Sequence, residues 1–510
     1  MVSSTSDVIV VGAGPGGLML ACELALAGVR CRVLEQREHR SAESRALGLQ
    51  ARTLELLELR GLADRFLDAG HALDHFRLTV GPARIDLDCL DTNFQQLNIC
   101  PQSTTEQLLE DRAAELGARI ERGMTVLGVS QDADGVEVRV RDGRGRSRTL
   151  RAGWVVGADG TRSVVRESAG IPFDGSTYRY NVIVGDVRLA RPPADGMLVE
   201  VGRQGLVVAI DFGTGWWRMG VVNRNAPRPS REPVSLAELD AALAEVFGHP
   251  LGPSRPLWTS RFLFQRRQAA VYRRDRVFLL GDAAHVHAPL GAQGLNLSLH
   301  DAMNLGWKLA GAIRHGAPAA LLDTYEHERR PIAGRVLAAT DRAIRLLMSP
   351  APPARALRRA VIPRVTGFRR SHQFLAGQVS GIAIGYPPAD GRRHQPVTGR
   401  RVPDLPLRPA AGGRPGAEAG QTLYGHFRSG QFVLLDQTGG LREVAAPWGD
   451  RVVTVRGAVA ADGPFSRYAG LLCRPDGYCA WAGGRHDALA LRAALREWCG
   501  EPRERIAAVS

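Results

Sequence analysis

Three glycine-and-acid clusters carry the residue types suited to chemistry. The first is Gly12-Ala-Gly14-Pro15-Gly16-Gly17, between the β-branched run Asp7–Val11 and a helical pattern over Leu18–Ala27. In that setting Gly12 permits a tight turn, Gly14 lets the backbone approach a pyrophosphate, and Gly17 lets the helix pack closely on the sheet. The unpaired amides and positive end of the helix suit the pyrophosphate charge. Glu35, with Gln36 beside it, closes the next strand, Val29–Leu34. It is placed to accept from a ribose diol, and its charge disfavours a 2′-phosphate. The other two clusters, Asp159-Gly160 and Gly281-Asp282, also follow apolar strands, Trp154–Val156 and Arg276–Leu280. A dinucleotide site is implied.

Other chemistries find less support. Asp282, His285 and His287 have metal-ligand residue types, but two histidines one residue apart need a further ligand, and no metal is expected. A Gly-x-Ser-x-Gly nucleophile turn is absent. Lys308 is the only lysine among 66 basic residues, which argues against Schiff-base and P-loop chemistry. The seven cysteines follow no regular spacing and include no Cys-x-x-Cys, so Cys473 and Cys479 read as buried thiols in a reducing compartment.

The elements that must position these residues need more than one domain, since the chain has 510 residues. Its net charge of +14 comes almost wholly from dispersed arginine, the pattern of a compositional bias and not of a phosphate-binding surface, so no nucleic-acid partner is expected. No basic leader or long uncharged apolar run is evident, so a cytoplasmic protein without a membrane partner is expected.

Residues 1–175 read as βαβ with helices over Arg52–Ala69 and Ser103–Leu116 and a hairpin over Val126–Leu150. Residues 176–275 read as a mostly antiparallel insertion, with strands such as Tyr180–Leu189 and Trp216–Asn223. Residues 276–395 return to the first style, with a helix from about Asn296 to Arg314 and another over Leu321–Met348, interrupted near Pro331. After a Pro- and Gly-rich linker, residues 396–510 hold strands and a final helix, Ala488–Cys499.

With these motifs in hand the sequence resembles the class A flavoprotein monooxygenases with the fold of para-hydroxybenzoate hydroxylase, and more narrowly the aromatic polyketide hydroxylases of actinobacteria. The resemblance rests on GAGPGG at 12–17, GADGTRSVVRESAG at 157–170 and GDAAHVHAPLGAQGLNLSLHDAMNLGWKLA at 281–310, in that order. It extends more weakly to GRRVPD at 399–404 and LLCRPDGYCAW at 471–481. The implied fold is α/β: a Rossmann-like FAD-binding domain, an inserted antiparallel-sheet substrate domain and a C-terminal thioredoxin-like domain.

The resemblance also implies roles. FAD is the cofactor, with NADPH or NADH as transient co-substrate. Asp282 meets the ribityl chain, Arg45 the pyrophosphate and Gln102 the ribityl region, while Asp159 serves both FAD and NAD(P)H. The loop Pro289, Gly291, Ala292, Gln293, Gly294, Leu295 and Asn296 lies beside the isoalloxazine. Family members have Pro-x-Gly-Gly-Gln-Gly in that loop, and Ala292 departs from it. A methyl there excludes most left-handed conformations.

The implied reaction is hydroxylation of a phenolic polycyclic polyketide by NAD(P)H and O2, through a flavin C4a-hydroperoxide, in antibiotic biosynthesis. Phe212, Trp216, Trp217, Phe262 and Phe264 are candidates to stack on the planar substrate. The arginines Arg261, Arg266 and Arg267 could orient an acidic phenol or serve structure. A Baeyer–Villiger oxygenase acting on a polyketide ketone and a non-catalytic flavin-binding partner stay open, as do monomer and homodimer.

Overall fold

The computed structural model describes residues 6–41, 44–78, 83–202, 204–223, 233–288, 290–388, 394–408, 422–460 and 463–502. Strand Ser6–Val11 is buried on both faces, with Val8 and Val10 fully enclosed, as an interior parallel strand must be. It pairs in parallel with Cys31–Leu34 and with the end of Ser147–Gly157, which in turn pairs in parallel with Val277–Leu279. Register sets Val11 opposite Gly157, and Gly157 opposite Leu279. The three glycine-and-acid turns therefore emerge side by side from the C-terminal ends of three neighbouring strands in an eight-stranded sheet.

The segment read as a hairpin is a meander of Thr125–Gln131, Val136–Arg141 and Ser147–Gly157. Asp132 and Asp142 set its turns by accepting from Gly135 and Arg146 amides. Helix Pro15–Leu26 crosses Gln293–His315 very closely: a Cβ on Gly306 would stand 2.5 Å from Glu23 Cβ.

A second eight-stranded sheet holds Phe173–Leu189, Met197–Val201, Gly205–Asp211, Trp217–Asn223 and Pro253–Ala269. It also takes in His75–Leu78, Ala83–Asp86 and His285–Val286, which sequence reading did not see as strands. Runs of two to four residues are too short to display a period of two. Helix Leu236–Phe247, capped by Ser235 and ended by Gly248, covers one face of this sheet through Leu239, Ala242 and Leu243.

Ala319–Met348 is one continuous helix, which corrects the expected break at Pro331. An interior proline costs about 3 kcal/mol, but here tertiary contacts hold the helix, including a Gln268 Nε2 donation to the Arg330 carbonyl at 2.7 Å. Helices Pro352–Gly367 and Arg369–Val379 follow, neither anticipated. No helix among the described residues is long and apolar enough to cross a membrane.

In the C-terminal region Phe432–Asp436 pairs in parallel with Val452–Arg456 and antiparallel with Gly470–Cys473, which forms a hairpin with Cys479–Gly483. Ala488–Cys499 packs on this sheet through Leu491 and Leu495. Cys473 and Cys479 face each other in the ladder as free, buried thiols, and burial pushes Cys473 up to about 12. Residues from this region, among them Tyr424, Phe427 and Val433, share one apolar core with the parallel sheet.

Candidate functional site

At the first turn Gly12 adopts φ +104, and a Cβ there would lie 2.4 Å from the Ala158 carbonyl oxygen, so the turn rests directly on the second motif. Gly14 instead faces open space, with nothing within 4 Å of a built Cβ. Pro15 opens the helix, and Gly16 and Gly17 are buried in its first turn. Glu35 is nearly buried, and its carboxylate accepts from Ala13 N–H and Arg37 N–H, each at 2.9 Å. Each oxygen keeps a lone pair for a further donor. Gln36 beside it is exposed.

At the second turn Asp159 Oδ2 accepts from the Val165 amide at 3.2 Å, while buried Oδ1 has no protein partner. Burial raises this carboxyl's pKa, against Ser163 and the Val165 amide. At the third turn Asp282 sits in the short helix Gly281–Ala283 with its side chain open to the cleft. The protein mass around it raises its pKa, with His285 and Arg45 opposing. Exposure and raised pKa are compatible in a carboxylate that is open to solvent on one side and enclosed by protein on the others.

Arg45 is itself exposed, and its loop is fixed from the second sheet. Arg218, paired with Asp186 at 2.7 Å, donates to the Arg45 carbonyl at 2.8 Å and also to the Ser44 carbonyl. Gln102 accepts from Ala46 N–H and donates to Glu106, so it braces the same loop one residue further on.

Pro289 lies outside the described residues. Beyond it, Gln293–His315 starts from Ala292, which adopts φ 53 and ψ 33. This left-handed conformation costs about 1–2 kcal/mol for a residue with a Cβ. Two contacts hold it. Asn296 Nδ2 donates to the Ala292 and Gly48 carbonyls, at 2.6 and 2.8 Å, while its Oδ1 accepts from Gln50 N–H and Thr53 Oγ1. The Ala292 methyl lies so near Gly48 that a second Cβ would stand 2.9 Å away. Gly291 is tied by Gln50 Nε2 at 2.9 Å, Gln293 reaches the Val379 carbonyl at 3.4 Å, and Leu295 is buried. The Asn296 side chain is thus fully occupied within the protein; what it leaves for a ligand is the start of the helix. His287 donates from Nδ1 to the Ala288 carbonyl at 2.8 Å, leaving Nε2 as a buried acceptor without a partner, near Gly294. Burial pulls its pKa down to about 4, so it is neutral.

The five aromatic candidates separate. Phe262 and Phe264 lie 6.2 Å apart, with Tyr178 edge-on to Phe264 at 6.3 Å, in a cluster that includes Ala288 and Leu290 of the loop. Phe212 joins Phe76, Leu97 and Val379, and so flanks the same loop. Trp216 lies at a hairpin end beneath exposed Arg188, 5.1 Å away. Trp217 is buried on the opposite face under the Leu236–Phe247 helix, away from the loop. Arg261 and Arg266 pair with Glu238 and Asp341, and Arg267 donates to the Phe173 carbonyl. These arginines serve structure.

The level turns, the open approach over Gly14, the unmatched Asp159 Oδ1 and the cleft-facing Asp282 carboxylate fit an extended dinucleotide with free hydroxyls. Residues 5–340 match the FAD binding domain family, and residues 395–502 match the C-terminal domain of aromatic-ring hydroxylases. The chain belongs to the FAD-dependent aromatic-ring hydroxylases. It is 40% identical over 498 residues to a rifampicin monooxygenase of Streptomyces venezuelae, covering 97% of this chain and 98% of that one. The solved anhydrotetracycline hydroxylase of Streptomyces rimosus superposes with a TM-score of 0.87 at 38% identity, covering 98% and 100% of the two chains. A dialkyldecalin synthase of Streptomyces rugosporus is 35% identical over 506 residues, covering 97% and 99%.

This FAD-dependent, NAD(P)H-using monooxygenase also holds, beside the three turns, residues that carry no local sequence signal. Arg218 and Asp186 are directly opposed across two antiparallel strands, and Trp258 Nε1 donates to the same Asp186 at 2.7 Å. The loop carbonyls that Arg218 holds, on Ser44 and Arg45, lie more than 170 residues away in the chain, so no local pattern announces them. His287 lies within the third motif, where its residue type alone points to metal ligation. Gly48 had no signal at all, because its need for hydrogen comes from Ala292.

Proposed function

We propose that this hydroxylase transfers one oxygen atom from O2 to a planar phenolic polyketide. The observation that carries the reading is the aromatic face of Phe262, Phe264 and Tyr178 set against Ala288 and Leu290 beside the loop. Reduced by NAD(P)H, bound FAD supplies the oxygen activation. The remaining work falls to binding, orientation and exclusion of water. Glu35 takes the adenosine ribose, the Gly12–Gly17 turn and Arg45 the pyrophosphate, and Asp282 the ribityl hydroxyls, with Gln102 holding the Arg45 loop in place. Asp159 shares FAD and nicotinamide binding. The helix start at Gln293, Gly294 and Leu295 presents amides to the pyrimidine edge, where they stabilise negative charge without a titrating group. The substrate phenol supplies the electronic push, so no acid–base pair is required.

The parallel pair, antiparallel hairpin and terminal helix of the C-terminal domain support a thioredoxin-like arrangement without redox activity. The names of the relatives support antibiotic biosynthesis as the setting.

Turnover of a phenolic polyketide under isotopically labelled O2, with mass spectrometry and NMR of the product, tests this reading. Label on a new ring hydroxyl is expected. Label within a new lactone would favour Baeyer–Villiger oxidation, and oxygen only from water would refute oxygen transfer from O2. The dialkyldecalin synthase relative, together with the strained Ala292, favours one further reading, a flavoprotein that acts without oxygen transfer. Its mark would be a product that gains no oxygen.

A further inference from the structure

The Arg474-Pro-Asp476-Gly477 turn belongs to the motif at 471–481, for which the reaction has no use, yet buried ion pairs and hydrogen bonds tie it to distant parts of the chain. It joins the two C-terminal hairpin strands and is buried against the FAD-binding domain. Arg474 pairs with both oxygens of Glu328, at 2.6 and 2.9 Å, and with Asp476 at 2.6 Å. Lys308 donates to the same Glu328 at 2.8 Å. Burial would raise the Glu328 carboxyl, but Arg474 and Lys308 outweigh it and hold it at about 2.

From this turn two routes lead to the two sides of the cleft. On one, the Arg474 guanidinium lies 5.0 Å over the Tyr386 ring, and the Tyr386 hydroxyl accepts from Arg329 at 3.0 Å. Arg329 pairs with Asp301 at 2.7 Å, and Asp301 accepts from the Gly281 amide at 3.1 Å and from His285 at 2.8 Å. Gly281 is the residue before Asp282. On the other, the Asp476 carbonyl accepts from Arg52 at 2.7 Å. Arg52 precedes Thr53, whose hydroxyl donates to Asn296, the residue that holds Ala292 and Gly48. Each link is a charge-assisted or buried hydrogen bond, a stacked guanidinium or one step along the chain, and a guanidinium fork bound on two sides cannot shift without breaking several at once.

We propose that Arg474 and Asp476 are positioning residues for FAD: through this buried network the C-terminal domain sets the Gly281–Asp282 turn and the Ala292–Asn296 loop, and with them the affinity and orientation of the flavin. The proposal rests on the reading that FAD is held at Asp282. It gives the C-terminal domain a part in the reaction that needs no cysteine.

The test is equilibrium FAD titration of the full-length apoprotein, well below its melting temperature, together with the visible circular dichroism of the bound flavin. Arg474→Gln and Asp476→Asn are expected to raise the FAD Kd, the former by about tenfold, within the usual range of coupling between linked sites, and to alter the flavin dichroism. Leu491→Ala, in the apolar core of the same domain, is expected to lower the melting temperature while leaving the Kd unchanged. Wild-type Kd and dichroism in folded Arg474→Gln would overturn the proposal. So would a Leu491→Ala variant that loses FAD affinity as much as Arg474→Gln for the same fall in melting temperature. If Arg474→Gln does not fold, Arg474→Lys decides in its place: it keeps the charge but lacks the fork, a raised Kd supports the network and a wild-type Kd overturns it. Wild-type affinity in Asp282→Ala would instead sink the underlying placement of FAD.

Discussion

In the parallel sheet the atoms proposed to act are backbone amides and short carboxylates at strand ends, whereas in the antiparallel sheet they are ring faces in mid-strand. The first kind of site is written locally. Gly12, Asp159 and Asp282 each follow a buried strand, and the register of three neighbouring strands brings the turns together. The second kind depends on which face of the sheet turns inward and what covers the other. Trp217 and Phe264 are both buried aromatics, on the two strands that flank Phe173–Leu189, yet one lies under a helix and the other near Ala288 and Leu290. A cleft built from strand ends survives many changes of side chain, while a wall built from ring faces can be altered without touching the cofactor.

The largest expected effect breaks that comparison at its sharpest point. Trp217→Ala should destabilise the protein by about 3–5 kcal/mol, the cost of emptying a buried aromatic site, with FAD affinity unchanged. Phe262→Ala, on the other face and only partly buried, should cost less stability but raise KM and divert reducing equivalents to hydrogen peroxide. Denaturant unfolding and peroxide yield, measured on both variants, would collapse the distinction if the two behaved alike.

Next in size is the strand-end site itself. Asp282→Ala removes a charged acceptor worth about 1.5–3 kcal/mol, so the FAD Kd should rise roughly 10- to 100-fold, read by fluorescence titration.

His287 offers a pH test between the two regions, since it sits where the loop meets the aromatic wall. Its folded pKa of about 4 lies below the ordinary 6.5, so below pH 6.5 the unfolded chain binds a proton that the folded chain refuses. Its contribution is therefore full above pH 6.5 and is lost as pH falls towards 4, by up to about 1.4 kcal/mol per pH unit. Unfolding free energies measured across that window should show a shallower slope in His287→Gln than in the parent.

The smallest effect concerns Ala292 and Gly48. Ala292→Gly should stabilise the fold by about 1 kcal/mol or less, because release from the left-handed strain is partly offset by glycine's greater unfolded freedom. Gly48→Ala alone should be disruptive, and the pair together milder than the sum, giving a coupling measurable in a double-mutant cycle. Strict additivity would show that the Cβ positions of residues 48 and 292 do not meet.

Sequence alone determined the three turns, the βαβ start, the antiparallel insertion and the final helix, because each rests on contacts between near neighbours: a turn needing glycine, a strand buried on both faces, a helix with an apolar stripe. It also placed Asp159, Asp282 and the 291–296 loop in one motif set. The tertiary structure alone decided the rest. Pro331 stays helical because Gln268 and the packing of the helix outweigh its local preference. Asn296 looks like a ligand-facing amide, yet all its hydrogen-bonding capacity is spent on Gly48, Gln50, Thr53 and Ala292. Arg474 reaches Glu328 across 146 residues of chain, and Arg218 reaches the Arg45 carbonyl across 173. Propensity and periodicity act over a few residues; which buried charge meets which partner is fixed only when distant segments close on one another.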